Sequence, residues 1–497
     1  MGASVGPALN SANQKASSSH AKISYDGLFN ENYFEIQSKE TSLLLNLELS
    51  HAKTRNPFNN RKEYFIGLTV KSKYDGEKIN EPIDISIALD ISGSMSCPIN
   101  LNLNGISRIE LAKDALNKLI LNLKDEDQFA LLTFNEEIEN IYKLSPKKEL
   151  LNSLNLLKEI EAGGGTDLVV ALQGAIDNLK KSKKNNKRII LITDMYYEQN
   201  DKLFELYKKC TNEYNIPITI IAISSESNTE LAHALSIEKG CNYFSVQKDE
   251  DLENFLVKNF QYVCFPVAYN FFIEFESQDM IIDKCFGTGY DILVKENEEK
   301  DDKSFCKVSS CFPSEVVNKD LKYYQKGGLI LLKVKPKNQE SNLKIPVNIS
   351  LYYTDKINEK FHQNYQHIFN TEDIKVDNFS NQSIENAVSL YYFGFIMDKF
   401  LPQNKEKNEE YCTIYNRDNI EKFLNYHYKE FLGTDLKKEY LRQLNEVKNK
   451  VQLKKVYLPQ YYYYYIPYSY MVENVKVETI ILEQRSENLP DAPSAIN

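Results

Sequence analysis

Apolar residues follow two rhythms along this chain. Between about residues 80 and 262, short unbroken apolar runs alternate with segments whose apolar positions return every third or fourth residue. Ile83-Asp84-Ile85-Ser86-Ile87-Ala88-Leu89, residues 128–134, Arg188-Ile189-Ile190-Leu191-Ile192, residues 218–223 and residues 243–246 read as strands. Ile109, Leu111, Ala112, Ala115, Leu116 and Leu119 mark a helix over about 108–123, with further helices near 147–160, 167–180, 201–213, 229–237 and 249–260. A tight turn at Asn135-Glu136-Glu137 predicts a short antiparallel edge strand over 138–142. Strands and helices that alternate through short connections predict a mostly parallel, doubly wound α/β sheet. Ligands of such sheets bind beyond the carboxyl ends of the strands.

On either side of this region the period drops towards two. Tyr33-Phe34-Glu35-Ile36, residues 43–49 and residues 64–70 read as strands, and so do residues 269–275, 328–334 and 345–351. The later spacing suits a β-sandwich. The early strands are too few to hide a core alone. They are therefore expected to pair with the later ones, which makes the α/β unit an insertion between β-sandwich segments. The expected division is 1–23, a Ser/Ala/Asn-rich disordered start; 24–79, the early strands; 80–262, the α/β unit; 263–375, the sandwich; 376–455, a helical region; and 456–497, an extended tail. In the helical region Leu390, Phe393, Ile396, Met397 and Phe400 form one apolar stripe. Ile420, Phe423, Leu424, Tyr428 and Phe431 form another, and both are expected to pack on the body. The tail holds five consecutive tyrosines, Tyr461 to Tyr465, and prolines that favour extended chain.

Three loops at the predicted carboxyl edge carry oxygen donors. Asp90, Ser92 and Ser94 alternate directly after the first apolar strand. Gly163-Gly164-Gly165-Thr166-Asp167 precedes a helix, and Thr193-Asp194 follows a second apolar strand. The glycines let backbone approach closely, and Thr166 is a plausible N-cap for the helix that follows. Hydroxyls and carboxylates are hard ligands that suit Mg²⁺, Mn²⁺ or Ca²⁺ better than zinc.

This constellation resembles the metal-ion-dependent adhesion site of von Willebrand factor type A (VWA) domains, an Asp-x-Ser-x-Ser loop followed by a distant Thr and a distant Asp. The resemblance covers about residues 80 to 262. It implies that Ser92, Ser94 and Thr166 hold the ion directly while Asp90 and Asp194 act mostly through water. It also implies a coordination position left open for an Asp or Glu of a partner protein. Met195 stands where the family usually has Gly. With Tyr196 and Tyr197 it is expected to border the ion as an apolar partner-binding anchor.

Composition narrows the function. A net charge of −10 argues against general nucleic-acid affinity. The eight cysteines show neither a Cys-x-x-Cys pair nor a disulfide-like spacing. No apolar signal core opens the chain and no apolar run reaches membrane-spanning length, so a cytoplasmic protein without a transmembrane segment is expected. There is no Gly-x-x-x-x-Gly-Lys-Ser/Thr phosphate loop, and the six histidines do not fall into a catalytic pattern with Ser and Asp. The expectation is a non-enzymatic scaffold that uses a bound cation to grip an acidic partner. The alternatives are a fixed component of a large assembly in which the ion only stabilises or is absent, and a secreted or membrane-associated adhesion protein.

Overall fold

The computed structural model describes residues 4–5, 25–38, 41–56, 61–77, 79, 81–99, 105–194, 201–223, 229–236, 238–246, 248–288, 303–337, 344–370, 378–400, 441–442 and 444–445. Met195, Tyr196 and Tyr197, nearly all of 1–23 and 401–455, and the 456–497 tail lie outside the described residues.

The α/β unit is built on a seven-stranded sheet. In spatial order its strands are Ser4–Val5, Asn242–Ser245, Ile218–Ala222, Lys187–Thr193, Asp84–Asp90, Gln128–Phe134 and Ile138–Pro146. All neighbours are parallel except the last pair, where Ile138–Pro146 runs antiparallel as the turn at 135–137 predicts. Asp84–Asp90 is buried along its whole length. Side chains alternate between the two faces of a strand. Ile85, Ile87 and Leu89 accordingly join one core layer with Leu116 and Leu119 of the helix Arg108–Asn122. Ala88 joins the opposite layer with Leu168, Ala171 and Ala175 of the helix Leu168–Leu179. The segment 147–160 is one α-helical turn, Lys147–Leu150, that continues as the 3-10 stretch Leu151–Glu159 with a kink at Ser153, where a single helix is the sequence expectation.

The flanking strands close around this insertion. Leu45–Arg55 and Lys62–Ser72 lie in a five-stranded antiparallel sheet with Met280–Phe286, Leu329–Pro336 and Asn378–Phe379. Tyr33–Ile36 pairs with Lys322–Lys326. A four-stranded antiparallel sheet, Lys303–Cys311, Ala268–Glu276, Lys344–Thr354 and Lys360–Asn370, faces the five-stranded one. Leu47, Ile66 and Leu332 from one sheet and Ile273, Val347 and Leu351 from the other share a core. The outer face of the five-stranded sheet is covered by the helix Gln382–Phe400, whose Ile384, Val388 and Tyr391 pack with Ala52, Phe65 and Leu331. Gly67 permits this close approach, because a Cβ there would collide with Ser50 Oγ and come within 2.8 Å of Ile384 Cδ1.

The sandwich grips the amino-terminal edge of the parallel sheet. Arg188, fully buried at the start of its strand, donates to Thr219 Oγ1 at 3.1 Å and to the Gly240 carbonyl at 2.9 Å. Its guanidinium lies 5.6 Å from the ring centre of Phe312, in the sandwich. The Gly240 amide donates to Ser310 Oγ at 2.6 Å, and Lys356 pairs with Glu81 at 2.8 Å. The opposite edge of the sheet carries the carboxyl ends of its strands, where Asp90 ends one strand and Asp194 follows another. All three oxygen-bearing loops sit there.

Candidate metal-binding site

Asp90 is the last residue of the strand Asp84–Asp90 and is fully buried. One carboxylate oxygen accepts the Ser92 amide at 2.8 Å and the other accepts the Thr193 hydroxyl at 2.6 Å. Burial pushes its pKa up to about 6, against the pull of the Thr193 and Ser92 hydrogen bonds, and the nearby Asp194 charge pushes the same way as burial. The chain then turns through a single 3-10 turn, Gly93–Ser96, pinned by Met95, which is fully buried. This turn brings Ser92 Oγ and Ser94 Oγ to 3.1 Å of each other.

The glycine loop is tied to this turn by backbone. The Gly93 amide donates to the Gly164 carbonyl at 3.0 Å, and the Gly163 amide donates to the Ile91 carbonyl at 2.6 Å. Thr166 follows two residues later, half-buried. It is not the N-cap. Asp167 caps the helix, its carboxylate accepting the Val169 and Val170 amides at 2.9 and 3.2 Å. The carboxylate satisfies two of the amide groups a helix start leaves open, so capping does not occupy the Thr166 hydroxyl. The three glycines are not equivalent. Gly164 has φ +85°, and a Cβ there would stand 2.8 Å from Asn135 and Glu136 side-chain atoms. A Cβ on Gly163 would meet nothing within 4 Å.

Asp194 is buried and accepts from Arg108 Nη1 at 3.0 Å. The same nitrogen donates to the Ser94 carbonyl at 3.2 Å, so one guanidinium bridges two of the loops. Sequence reasoning passed over Arg108. It begins the helix after the Ser107 cap, in register with the buried Ala112, Ala115 and Leu119. A cation on an apolar stripe is the signal that marks it out. Glu136 was missed as well, and its carboxylate lies along Gly164 and Gly165 on the rim of the site.

Two serine hydroxyls stand beside two buried carboxylates and one guanidinium, and backbone hydrogen bonds tie the loop that carries Thr166 to the serine turn. Among the described residues no three His, Cys, Asp or Glu side chains cluster. Hydroxyl and carboxylate oxygens are donors of the kind that suit a hard cation keeping part of its water shell, and in that respect they fit the group the sequence motif implies. Among the described residues neither a nucleophile–base pair nor a phosphate loop accompanies them.

Residues 84–258 match the family model of the von Willebrand factor type A domain, so this α/β unit is a VWA domain. A protein of Methanocaldococcus jannaschii described as uncharacterized is 28% identical over 157 residues, which are 31% of this chain. The chain spans only 33% of the length of that relative. Among solved structures, a von Willebrand factor type A protein from Catenulispora acidiphila is similar at 12% identity and a TM-score of 0.47, over 86% of this chain and 90% of that one. The ArnB paralog VWA2 from Sulfolobus acidocaldarius is similar at 14% identity and a TM-score of 0.38, over 82% of this chain and 98% of that one. VWA domains are in general non-enzymatic interaction modules. No helix among the described residues is long and apolar enough to cross a membrane.

Proposed function

We propose that the VWA domain binds a divalent cation, Mg²⁺ or alternatively Mn²⁺ or Ca²⁺, and uses it to hold an acidic side chain of a partner protein. Ser92, Ser94 and Thr166 would be the direct donors, with Asp90 and Asp194 behind them through water. Bound there, the ion supplies a Lewis-acidic position that a partner Asp or Glu can fill. The observation that carries this reading is the pair of serine hydroxyls 3.1 Å apart above a fully buried, doubly hydrogen-bonded Asp90. The turn holds its donors converged without help from a partner, so little ordering remains to be done on binding. Met195, Tyr196 and Tyr197 follow Asp194 in sequence and remain the candidate apolar anchors beside the acid.

Two measurements test it. Calorimetry with Mg²⁺ or Mn²⁺ reads ion binding directly, and affinity capture in Mg²⁺ and again in EDTA reads the partner. Ser92→Ala combined with Ser94→Ala should weaken the ion at least tenfold, since it removes two of three direct donors, and should abolish EDTA-sensitive capture while the fold persists. Capture that survives both EDTA and the double variant would refute the reading.

One observation favours a second reading. The Arg108 guanidinium already compensates Asp194, so the loops have a charge partner of their own and the domain could act as a fixed part of an assembly without an ion. In that case EDTA leaves both association and thermal stability unchanged.

A further inference from the structure

We propose that Cys285 and Cys306 are an oxidisable pair that forms a disulfide between the two sheets of the sandwich. Cys285 belongs to Met280–Phe286 in the five-stranded sheet, and Cys306 to Lys303–Cys311 in the four-stranded sheet. Their sulfurs lie 3.1 Å apart, roughly 1 Å more than an S–S bond. Thiols from opposed sheets are brought face to face by the fold, because their positions are 21 residues apart in sequence and their strands are not paired with each other.

A specific backbone feature aims Cys285 inward. Alternation along an unbroken strand would put residue 285 on the face opposite Met280 and Ile282. The pairing of this strand with Leu329–Pro336 shifts register between Ile282 and Lys284. A bulge of this kind re-aims the side chains that follow it. Met280 and Ile282 lie in the core between the sheets, Cys285 packs against that same core, and Phe286 turns to the outer layer under the helix Gln382–Phe400. Cys306 sits in the inner core, 1% exposed, with Val308 beside it. Cys285 is part-exposed, which gives a soluble oxidant a way in.

The oxidant class is a small-molecule disulfide such as glutathione disulfide. The Cys285 thiolate attacks one of its sulfurs, forms a mixed disulfide and expels one thiolate. The Cys306 thiolate then attacks Cys285 Sγ, forms the protein disulfide and expels the second thiolate. The two leaving thiolates take up the two protons released by the cysteines. Two thiols are oxidised and one disulfide is reduced.

The test uses the full 497-residue chain, reduced and then incubated with glutathione disulfide. Proteolysis without reductant should yield a peptide joining Cys285 to Cys306, and the melting temperature should rise by about 5 °C. Dithiothreitol should reverse both. Cys285→Ala and Cys306→Ala should each abolish both effects, while Cys97→Ala, at an exposed site elsewhere, should keep them. Glutathione held on Cys285 while Cys306 stays open to alkylation on unfolding would overturn the proposal. So would a stability gain that persists in Cys285→Ala. If Cys306→Ala fails to fold, the wild-type peptide map and the Cys285→Ala protein still decide.

Discussion

The two edges of the parallel sheet each carry a buried arginine, and the two are partnered in different ways. At the amino edge Arg188 meets a threonine hydroxyl, a backbone carbonyl and a phenylalanine ring. Its Nε and Nη2 are buried without a hydrogen-bond partner among the described residues. At the carboxyl edge Arg108 meets the Asp194 carboxylate. A guanidinium held only by neutral groups has no carboxylate to exchange, and it packs the VWA unit against the sandwich through Phe312. A guanidinium satisfied by a carboxylate shares that carboxylate with any cation that arrives. One edge is therefore held by neutral contacts, and the other by a charge pair.

The sharpest way to break this contrast is at Arg188. Arg188→Ala leaves a cavity and orphans the Gly240 carbonyl, and should cost about 3 kcal/mol of stability by urea unfolding. Cation affinity measured on the folded fraction should stay as it was. A matching loss of cation affinity would mean that the two edges are coupled.

Arg108 is the complementary experiment. Arg108→Met keeps the length of the side chain and removes the positive charge beside Asp194. It should raise Mg²⁺ affinity about tenfold, near 1.4 kcal/mol. Weaker binding instead would show that the guanidinium positions Asp194 rather than competing for it.

The sandwich offers a charge test of its own. His51 and His367 lie with ring centres 4.8 Å apart. Burial holds both imidazoles below their ordinary value of 6.5, and His51 adds a repulsive push on His367. Folded-state values below the unfolded one mean that the neutral rings are favoured by folding. Their contribution is present above about pH 6.5 and is lost as pH falls below it. The melting temperature should drop between pH 7 and pH 5, and His367→Gln should flatten that drop. An unchanged slope in the variant would assign the acid sensitivity elsewhere.

The smallest effect separates two adjacent glycines. Gly163→Ala should change stability by less than about 0.5 kcal/mol. Gly164→Ala, at φ +85°, should cost about 1 kcal/mol or more. Equal costs would mean that the loop is not held in the conformation described.

Much of this is legible in the sequence alone. The apolar run 83–89 and the 3.6-residue periodicity of 108–122 are local patterns, and burial of one face follows from them directly. The alternation of these patterns forces parallel strands, and with them a loop cluster at one edge. Asp90, Ser92 and Ser94 stood out because their spacing of two is visible in the chain itself. The Thr166 cap was misjudged because a threonine and an aspartate stood side by side, and only the chain path shows that the Asp167 carboxylate reaches the free amides. Met195, Tyr196 and Tyr197 fall outside the described residues.

What the linear order settles is whatever depends on neighbours a few residues away: strand and helix periods, a turn of small oxygen-bearing residues, and the shortage of early strands that calls for later partners. Contacts between distant positions follow from packing alone. The Arg108–Asp194 pair spans 86 positions and the Tyr365–Asn46 hydrogen bond 319. No local pattern encodes such a pairing, because its energy exists only once burial has removed the water that would otherwise satisfy each group separately.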